Sequence, residues 1–302
     1  MGLSFYNIKR WLLMLFGKSI LHVKQNQGRV FDPKELRGYF NDLTKKVTKD
    51  KKIKLTKGYI PTIAVAKNQD ILFPVAIFQY GLGCYDLYLI NGKTIYRDKF
   101  LELSDWAVEH QEKDGGWNNF WYIYPDTPYG AMCQGEGASL LIRAFKETQN
   151  EKYLISAKKA LDFMLLNKKN PMTLSNDGEL VLLEYENKSP VLNGWIFASF
   201  GLYDVWLSTK DEKYHLLFVK TIDTLKKYLA SYDNSYWSMY DLGGKIASPF
   251  YHNLHIAQLK VLYLVTQKNL FLNYCKKFKK YKNNIFNRLK AFFVKANQKI
   301  KE

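Results

Sequence analysis

The chain has 302 residues, of which 47% are hydrophobic and 16% are aromatic, and its formal net charge is +17. This length and composition can bury a large core in one domain or two, and the many Tyr and Trp residues suit either that core or an aromatic-lined carbohydrate cleft. The positive charge favours a polyanionic partner, which could be nucleic acid, anionic lipid or acidic polysaccharide. Zinc-finger spacings and RNP-type sequences are absent, which argues against nucleic acid.

The first predicted element is a basic amphipathic helix at the start of the chain. Apolar residues recur at three- and four-residue spacing over 5–23, with Lys9, Arg10 and Lys18 between them. The apolar run at 11–16 is too short to span a bilayer, and no leader-type cleavage pattern follows it. The helix is therefore expected either to lie on an anionic membrane surface or to dock on its own domain, and we favour docking.

Most of the following chain is predicted to be helical. Apolar residues recur at helical spacing in 71–91, 95–112, 130–148, 151–167, 191–208, 211–230, 250–267 and 270–296. Loops rich in Gly, Pro, Asn and Asp separate these stretches, and ELVLLEYE at 179–186 is predicted to be a strand or hairpin arm. Paired helices joined by alternating short and long loops indicate stacked helical hairpins, as in an α/α toroid. A helical bundle or a repeat array is the alternative.

Two further patterns concern helix packing and the end of the chain. The small residues of GEGAS at 135–139 indicate that two helices approach closely or that a bulky ligand lies against the backbone, and we favour helix packing for Gly135 and Gly137. The segment 274–296 carries an apolar stripe among many lysines. It is predicted to be a second basic amphipathic helix, either packed with its basic face in solvent or in contact with a membrane surface or polyanion.

No ready-made metal, phosphate or dinucleotide signature is present. His252 and His255 are three residues apart, but no further metal ligands follow at suitable spacing. Neither a phosphate-binding loop nor a dinucleotide fingerprint occurs, so no cofactor and no metal are expected. The cysteines Cys84, Cys133 and Cys275 are odd in number and far apart, which favours a reducing compartment.

Several segments resemble, in order, the catalytic domain of a known family. They are FPVAIFQYGLGCY (73–85), QEKDGGWNN (111–119), YGAMCQGEGASLLIRAF (129–145), EYENKSPVLNGWIFASFGLYDV (184–205), SMYDL (238–242) and FYHNLHIAQL (250–259). Together they resemble the D-glucuronyl C5-epimerases, which convert glucuronic acid into iduronic acid in heparan sulfate and heparosan-like chains. The resemblance covers about 70–267. Gly243 stands where the family motif usually continues with an arginine, and 1–69 is too short for the family's β-rich N-terminal region.

The resemblance implies a mainly α-helical fold, an (α/α) toroid of helical hairpins with a small β-hairpin near the cleft. Residues 70–267 would form the catalytic domain, 1–69 a short N-terminal region with its amphipathic helix, and 268–302 a basic C-terminal helix. The implied catalytic residues are Glu184, Tyr185, Tyr240 and Tyr251. Further candidates for substrate binding are Tyr80, Tyr129, Gln134, Arg143, His252 and Trp117.

The chemistry of epimerisation constrains these roles. Two acid/base groups must flank carbon 5, one on each face of the sugar. A phenol with the ordinary pKa of about 10 ionises at pH 7 only at a cost of about 4 kcal/mol, so a tyrosine base needs cations such as His252, His255 or Arg143 nearby. A carboxylate needs no such help. We therefore pair Glu184 with Tyr251.

In this interpretation Tyr185 and Tyr240 bind the sugar or share the proton transfer, and donors such as His252 stabilise the charge that develops on the uronate carboxylate. Two alternatives remain open: a uronate polysaccharide lyase of similar fold, and a non-catalytic protein that binds an acidic glycan. The expected partners are a glucuronate-containing polysaccharide and an anionic membrane surface, without nucleic acid, and a homodimer is left open. The expected location is the bacterial cytoplasm or the inner face of the membrane.

Overall fold

The computed structural model describes residues 5–16, 26–49, 55–65, 69–176 and 178–301. Most of these residues are helical, which confirms the predicted mainly α class. The helices are α1 (Phe5–Leu15), α2 (Thr44–Thr48), α3 (Pro74–Asn91), α4 (Thr94–Glu109), α5 (Ala131–Thr148), α6 (Glu151–Leu166), α7 (Leu192–Thr209), α8 (Glu212–Tyr228), α9 (Pro249–Thr266), α10 (Asn269–Asn283) and α11 (Ile285–Lys301). The strands are β1 (Thr62–Ala64), β2 (Asp70–Leu72), β3 (Thr173–Leu174) and β4 (Val181–Leu182).

Four helical hairpins, α3/α4, α5/α6, α7/α8 and α9/α10, share one kind of tight connection. The first helix of each ends at a residue with positive φ, and these residues are Gly92, Gln149, Lys210 and Gln267, with φ of 70°, 57°, 56° and 54°. In each case the backbone N–H of this residue bonds back to the helix, and one extended residue then begins the next helix. A left-handed residue followed by an extended one reverses the chain within two positions, which is why successive helices pack as hairpins.

The hairpins are arranged in two rows. Helices α3, α5, α7 and α9 pack on one another in chain order, while α4, α6, α8 and α10 each pack on the helix that precedes them. Helices α3, α5 and α7 are buried along most of their length, so their sequences are apolar on more than one face. The segments that connect one hairpin to the next carry the β3/β4 pair and the loop before α9.

The small residues at 135–139 serve helix packing. A Cβ atom at Gly135 would lie 2.6 Å from the Cα of Ala198 in α7, and one at Gly201 would lie 2.6 Å from the Cα of Gly135. A Cβ at Gly137 would lie 2.4 Å from the indole ring of Trp117. Contacts this short leave no room for a side chain. The predicted close helix packing is confirmed at Gly135, whereas Gly137 packs most closely on Trp117, which lies in the loop between α4 and α5.

The helices at the two ends of the chain differ in length from the predicted ones. The predicted single helix over 270–296 is wrong, because Asn284 is extended and its side chain accepts the backbone N–H groups of Phe286 and Asn287, so that a new helix begins there. The predicted N-terminal helix over 5–23 is described as α1, and 17–25 lies outside the described residues.

Helix α1 docks on its own domain, the alternative favoured from the sequence. Its Trp11 is buried in a cluster with Phe250, Phe292 and Ala296, which joins α1 to α9 and α11. Among the residues that the structure describes, no helix has both the length and the apolar character needed to cross a bilayer. The domain boundaries at 69/70 and 267/268 remain predictions.

Two short antiparallel hairpins complete the fold. Strands β1 and β2 pair with Thr62 opposite Leu72, and β3 and β4 pair with Thr173 opposite Leu182. The predicted strand at 179–186 is thus limited to β4. After β4 the backbone carbonyl of Leu183 accepts the N–H of Ala131 at 2.8 Å, which fixes the following residue, Glu184, against the start of α5.

Candidate active site

Two adjoining cavities lie beside the N-terminus of α9, and both are lined by Tyr185, Phe250 and Tyr251. The larger one, here called the lysine cavity, has a volume of about 540 Å³ and is lined by Lys188, Lys245, Lys295 and Lys299 among others. The smaller one, the carboxylate cavity, has a volume of about 280 Å³, is lined by Glu184 and is largely apolar. Their combined size and shape suit part of a sugar chain.

Three separate segments bring the central side chains together. Glu184 and Tyr185 follow β4, Tyr240 lies in the loop before α9, and Tyr251 lies in the first turn of α9. The loop segments are joined by backbone hydrogen bonds from the N–H of Leu192 to the carbonyl of Tyr240 and from the N–H of Leu242 to the carbonyl of Pro190, both 3.1 Å. The Ser248 side chain accepts the N–H of Tyr251 and so begins α9 beside the cavities.

The carboxylate of Glu184 is buried and hydrogen-bonded. Its Oε2 atom accepts the Nδ2–H of Asn193 at 3.3 Å, and the hydroxyls of Tyr185 and Tyr240 bond to the same carboxylate. Burial raises the pKa of Glu184 from 4.5 to about 7, and the three hydrogen bonds limit this rise because they stabilise the ionised form. Near neutral pH the group is therefore present both as a base and as its conjugate acid.

The phenols around Glu184 are proton donors at neutral pH. Burial, followed by the negative charge of Glu184, raises the pKa of Tyr185 and of Tyr240 well above the ordinary value of 10. A charge on Tyr251 raises both pKa values further. The ring of Tyr251 lies 4.9 Å from the ring of Tyr240, so a cluster this compact can hold at most one phenolate.

Two of the lysines that line the lysine cavity belong to the C-terminal helix α11. Lys295 and Lys299 belong to α11, and the Nζ atom of Lys295 lies 5.8 Å from the ring centre of Tyr240. Lys188 and Lys245 approach from the loops, and Asp241, the acidic residue in this lining, accepts the backbone N–H groups of Gly243 and Lys245 at 3.0 Å. The cavity thus presents ammonium groups next to the phenol cluster.

A second buried carboxylate lies behind the carboxylate cavity. Glu136 of α5 accepts two hydrogen bonds from the Nε2 of Gln79, at 3.0 and 3.1 Å, and burial raises its pKa to about 8. Gln79 and Lys46 line the cavity itself, and burial lowers the pKa of Lys46. Sequence reasoning did not single out Gln79 or Lys46. The position of Gln79 beside Tyr80 in FPVAIFQYG was the available signal.

Comparison with known proteins identifies the family. The family described as D-glucuronyl C5-epimerase C-terminus matches residues 105–280, which is more than half of the chain. The protein belongs to this family.

Two curated relatives are similar to this chain in sequence. A D-glucuronyl C5-epimerase of Caenorhabditis elegans is 30% identical over an alignment of 191 residues that covers 53% of this chain and 31% of that protein. An uncharacterized protein of Methanocaldococcus jannaschii is 30% identical over an alignment of 157 residues that covers 50% of this chain and 51% of that protein. The chain therefore spans about a third and about half of these two curated relatives.

A solved structure also aligns over much of the length. The unsaturated glucuronyl hydrolase from Streptococcus agalactiae has a TM-score of 0.46 and 16% sequence identity, covering 96% of this chain and 81% of that chain.

In this member of the C5-epimerase family, the four residues expected to be catalytic lie together. Glu184 lines the carboxylate cavity, Tyr240 lines the lysine cavity, and Tyr185 and Tyr251 line both. Gly243, which stands where the resemblance implies an arginine, lines the same cavity as Lys245.

Four candidates for substrate binding hold the fold beside the cavities but line neither of them. Tyr80 lies in the core, and the hydroxyl of Tyr129 donates to Glu112 at 2.6 Å. Gln134 bonds through both ends of its amide to the backbone of Trp117, with both distances 3.1 Å. Trp117 is itself buried, and together with Trp121 it lines a separate cavity of about 290 Å³.

The two proposed cations, Arg143 and His252, also lie outside both cavities. Arg143 is buried in an ion pair with Asp204, at 2.6 Å. His252 donates from Nε2 to the carbonyl of Phe278 at 3.0 Å and accepts the backbone N–H of Ser238 at Nδ1. Burial lowers the pKa of His252 to about 3 and that of His255 well below 6.5, so neither histidine supplies a positive charge at neutral pH.

Metal-ligating side chains do not cluster in the part of the chain that the structure describes. No group of three or more His, Cys, Asp or Glu residues there has the arrangement of a metal site.

Proposed function

We propose that this protein is a polysaccharide D-glucuronyl C5-epimerase, which removes the proton from carbon 5 of a glucuronate residue and returns a proton to the opposite face, giving iduronate. One observation carries the proposal. Glu184, with a pKa of about 7, is hydrogen-bonded to two phenols where a carboxylate-lined cavity meets a lysine-lined one. Membership of the family supports the same chemistry.

The first step is the transfer of the carbon 5 proton to the carboxylate of Glu184. The electron pair of the broken C–H bond moves toward the uronate carboxylate, which takes on enolate-like charge. A base with a pKa near the working pH suits this step, because it is ionised often enough to accept the proton and basic enough to hold it. Tyr185 and Tyr240 keep the ionised form oriented through their hydrogen bonds.

The second step is proton return from the other side. Tyr251 donates its phenolic proton to carbon 5 as the electron pair returns from the carboxylate, and Tyr251 is left as a phenolate. Glu184 then releases its proton and the Tyr251 phenolate takes up a proton, by exchange with solvent. This exchange restores both groups, so no proton is gained or lost over the cycle.

Lysines supply the positive charge that the intermediate needs. Ammonium groups aimed at a developing negative charge lower the barrier most when they are held in place before the reaction. Lys295 and Lys299 come from α11 and line the same cavity as Tyr240 and Tyr251, where a uronate carboxylate can meet them. Heparosan-like and heparan-type chains, which are acidic, fit this lining.

We also propose a toroidal architecture and a cytoplasmic location for this protein. The four hairpins, with α3, α5, α7 and α9 in one row and their partners in the other, support an (α/α) toroid. The three cysteines are free and buried, which supports a reducing, cytoplasmic location. The homodimer stays a prediction.

The test is hydrogen exchange at carbon 5. The protein is incubated in deuterated water with heparosan-like glucuronate chains and, separately, with other uronate polymers, beside Glu184→Gln and Tyr251→Phe variants. Mass spectrometry should find deuterium at carbon 5, with loss in both variants and no new ultraviolet absorbance. An unsaturated, absorbing product would indicate a lyase instead, and binding without incorporation into any of the polymers would indicate a glycan-binding protein.

A further inference from the structure

Helix α11 differs from a normal surface helix because it exposes several large apolar side chains. Its Phe286 and Phe293 side chains are 78% and 65% exposed, whereas Ala291 on the other side is 2% exposed. Its lysines at 295 and 299 point the other way, toward the lysine cavity. A surface helix ordinarily buries its apolar stripe and exposes its charges. In α11 Phe292, Val294 and Ala296 pack against the protein, and a second set of apolar side chains lies outside.

The exposed stripe continues onto α1. We define the apolar face as the exposed side chains of the two helices, which are Ile285, Phe286, Leu289, Phe293 and Ile300 of α11 and Phe5, Leu12 and Phe16 at α1. The two helices touch, because Phe292 and Ala296 pack on Trp11 and Arg288 donates to the carbonyl of Leu15. A group of exposed apolar side chains on two touching helices is uncommon on a protein that stays in water and marks a place of contact.

The charge around the apolar face is positive, which indicates an anionic partner. Residues 242–301 contain no Asp or Glu, and 1–31 contain none either. Exposed Lys9, Lys290 and Lys301 flank the apolar side chains on the two helices. A second copy of the chain would bring two such acid-free surfaces together, and like charges would oppose that contact. A bilayer with anionic headgroups accepts the phenylalanines and pairs with the lysines at once.

We propose that the apolar face docks on the surface of a membrane that contains anionic lipid, with α1 and α11 lying in the interface plane. The other side of the same two helices forms part of the lysine cavity, through Trp11, Lys295 and Lys299. Docking therefore holds the wall of the candidate active site against the bilayer. The inference concerns a surface outside the proposed reaction and stands independently of that reaction.

The experiment is co-sedimentation of the full chain with vesicles of phosphatidylcholine alone and of phosphatidylcholine with phosphatidylglycerol. The unmodified chain should bind the anionic vesicles and not the neutral ones, and binding should weaken with salt. The double variant Phe286→Ser/Phe293→Ser should bind at least about tenfold more weakly, because it removes two large apolar side chains from the interface. Lys290→Gln/Lys301→Gln should bind more weakly at low salt.

A matched control comes from exposed leucines on other helices. Leu166 and Leu216 are 70% and 66% exposed, on α6 and α8, and Leu166→Ser/Leu216→Ser should bind vesicles as the unmodified chain does. Light scattering without vesicles should give the same molar mass for the unmodified chain and for the Phe286→Ser/Phe293→Ser variant. An oligomer that is present only in the unmodified chain would show self-association through the apolar face. Failure of the unmodified chain to bind anionic vesicles, equal loss in the leucine control, or such an oligomer would overturn the proposal.

Carbon 5 exchange on soluble polysaccharide separates this proposal from that of the reaction. The Phe286→Ser/Phe293→Ser variant should retain exchange activity without vesicles, since neither side chain lines the cavities. A chain that binds vesicles but exchanges no deuterium would leave docking intact and refute the reaction.

Discussion

Gly194 leaves the space that the carboxylate of Glu184 fills. A Cβ atom at Gly194 would lie 2.3 Å from Oε2 of Glu184 and 2.5 Å from its Cβ. The first turn of α7 can therefore meet the carboxylate closely, and Asn193 on the same turn donates a hydrogen bond to it. The position of the proposed base thus depends on a glycine that takes no part in the chemistry.

We expect Gly194→Ala to displace Glu184 and to reduce carbon 5 exchange by at least about tenfold, because small errors in the position of a catalytic group are costly. The exchange rate in deuterated water measures the effect. Ser199→Ala is the control in the same helix, since the hydroxyl of Ser199 bonds only within α7, to the carbonyl of Ile196. An unchanged rate in Gly194→Ala would contradict the positioning of Glu184 by α7.

The pH dependence of the reaction should follow the ionisation of Glu184. Its pKa of about 7 means that the base is lost as the pH falls below that value. The exchange rate at subsaturating substrate should therefore fall about tenfold per pH unit on the acid side. A rate that stays constant between pH 5 and 7 would show that another group removes the proton.

The main features of the fold follow from local patterns in the sequence. Helical periodicity and polar punctuation indicate the hairpins, and the small residues at Gly135 and Gly137 indicate close packing. The break at Asn284 is not visible in this way, because apolar residues recur at helical spacing on both sides of it. Contacts with α1 and α9 determine which side of α11 faces the protein. The spacing of apolar residues within α11 carries no information about those contacts.

The site was predictable to a similar extent. Resemblance to the family named Glu184, Tyr185, Tyr240 and Tyr251, which line the two cavities. It did not reveal that Arg143 is paired in the core, because its partner Asp204 lies 61 residues away in the chain. Nor could it place Lys295 and Lys299, since they reach the cavity from a helix outside the matched motifs.

The stability of the fold should depend on pH through the ionisation of Glu184. Because the pKa of Glu184 is higher in the folded chain than its ordinary value of 4.5, ionisation destabilises the folded state. The destabilisation is absent below about pH 4.5, grows as the pH rises, and is complete above about pH 7. We expect Glu184→Gln to raise the melting temperature at pH 8 relative to the unmodified chain and to change it little at pH 4.

Glu136→Gln provides the comparison. The pKa of Glu136 is about 8, so its ionisation destabilises the folded chain increasingly up to about pH 8. Any rise in melting temperature caused by Glu136→Gln should therefore continue to grow between pH 7 and 8. Thermal melts followed by circular dichroism across this pH range measure both variants. A Glu184→Gln chain that melts lower at pH 8 by more than at pH 4 would show that the ionised carboxylate stabilises the fold.

The lysines of α11 should govern the binding of substrate more than the stability of the fold. Lys295 and Lys299 line the cavity beside Tyr240, where the proposed acidic substrate would pair with their charge. We expect Lys295→Ala and Lys299→Ala each to raise KM several-fold and Lys295→Ala also to lower kcat, because its Nζ lies close to the Tyr240 ring.

Added salt should raise KM for the unmodified chain and raise it less for the Lys295→Ala/Lys299→Ala double variant, because charge pairing with the polysaccharide is screened by ions. Lys301→Ala is the matched control, since Lys301 lies on the same helix, is exposed and does not line the cavity. Exchange kinetics on soluble chains at two salt concentrations provide the measurement. Equal effects of Lys295→Ala and Lys301→Ala would mean that the substrate responds to the overall positive field of the protein, and α11 would then have no direct contact with the sugar.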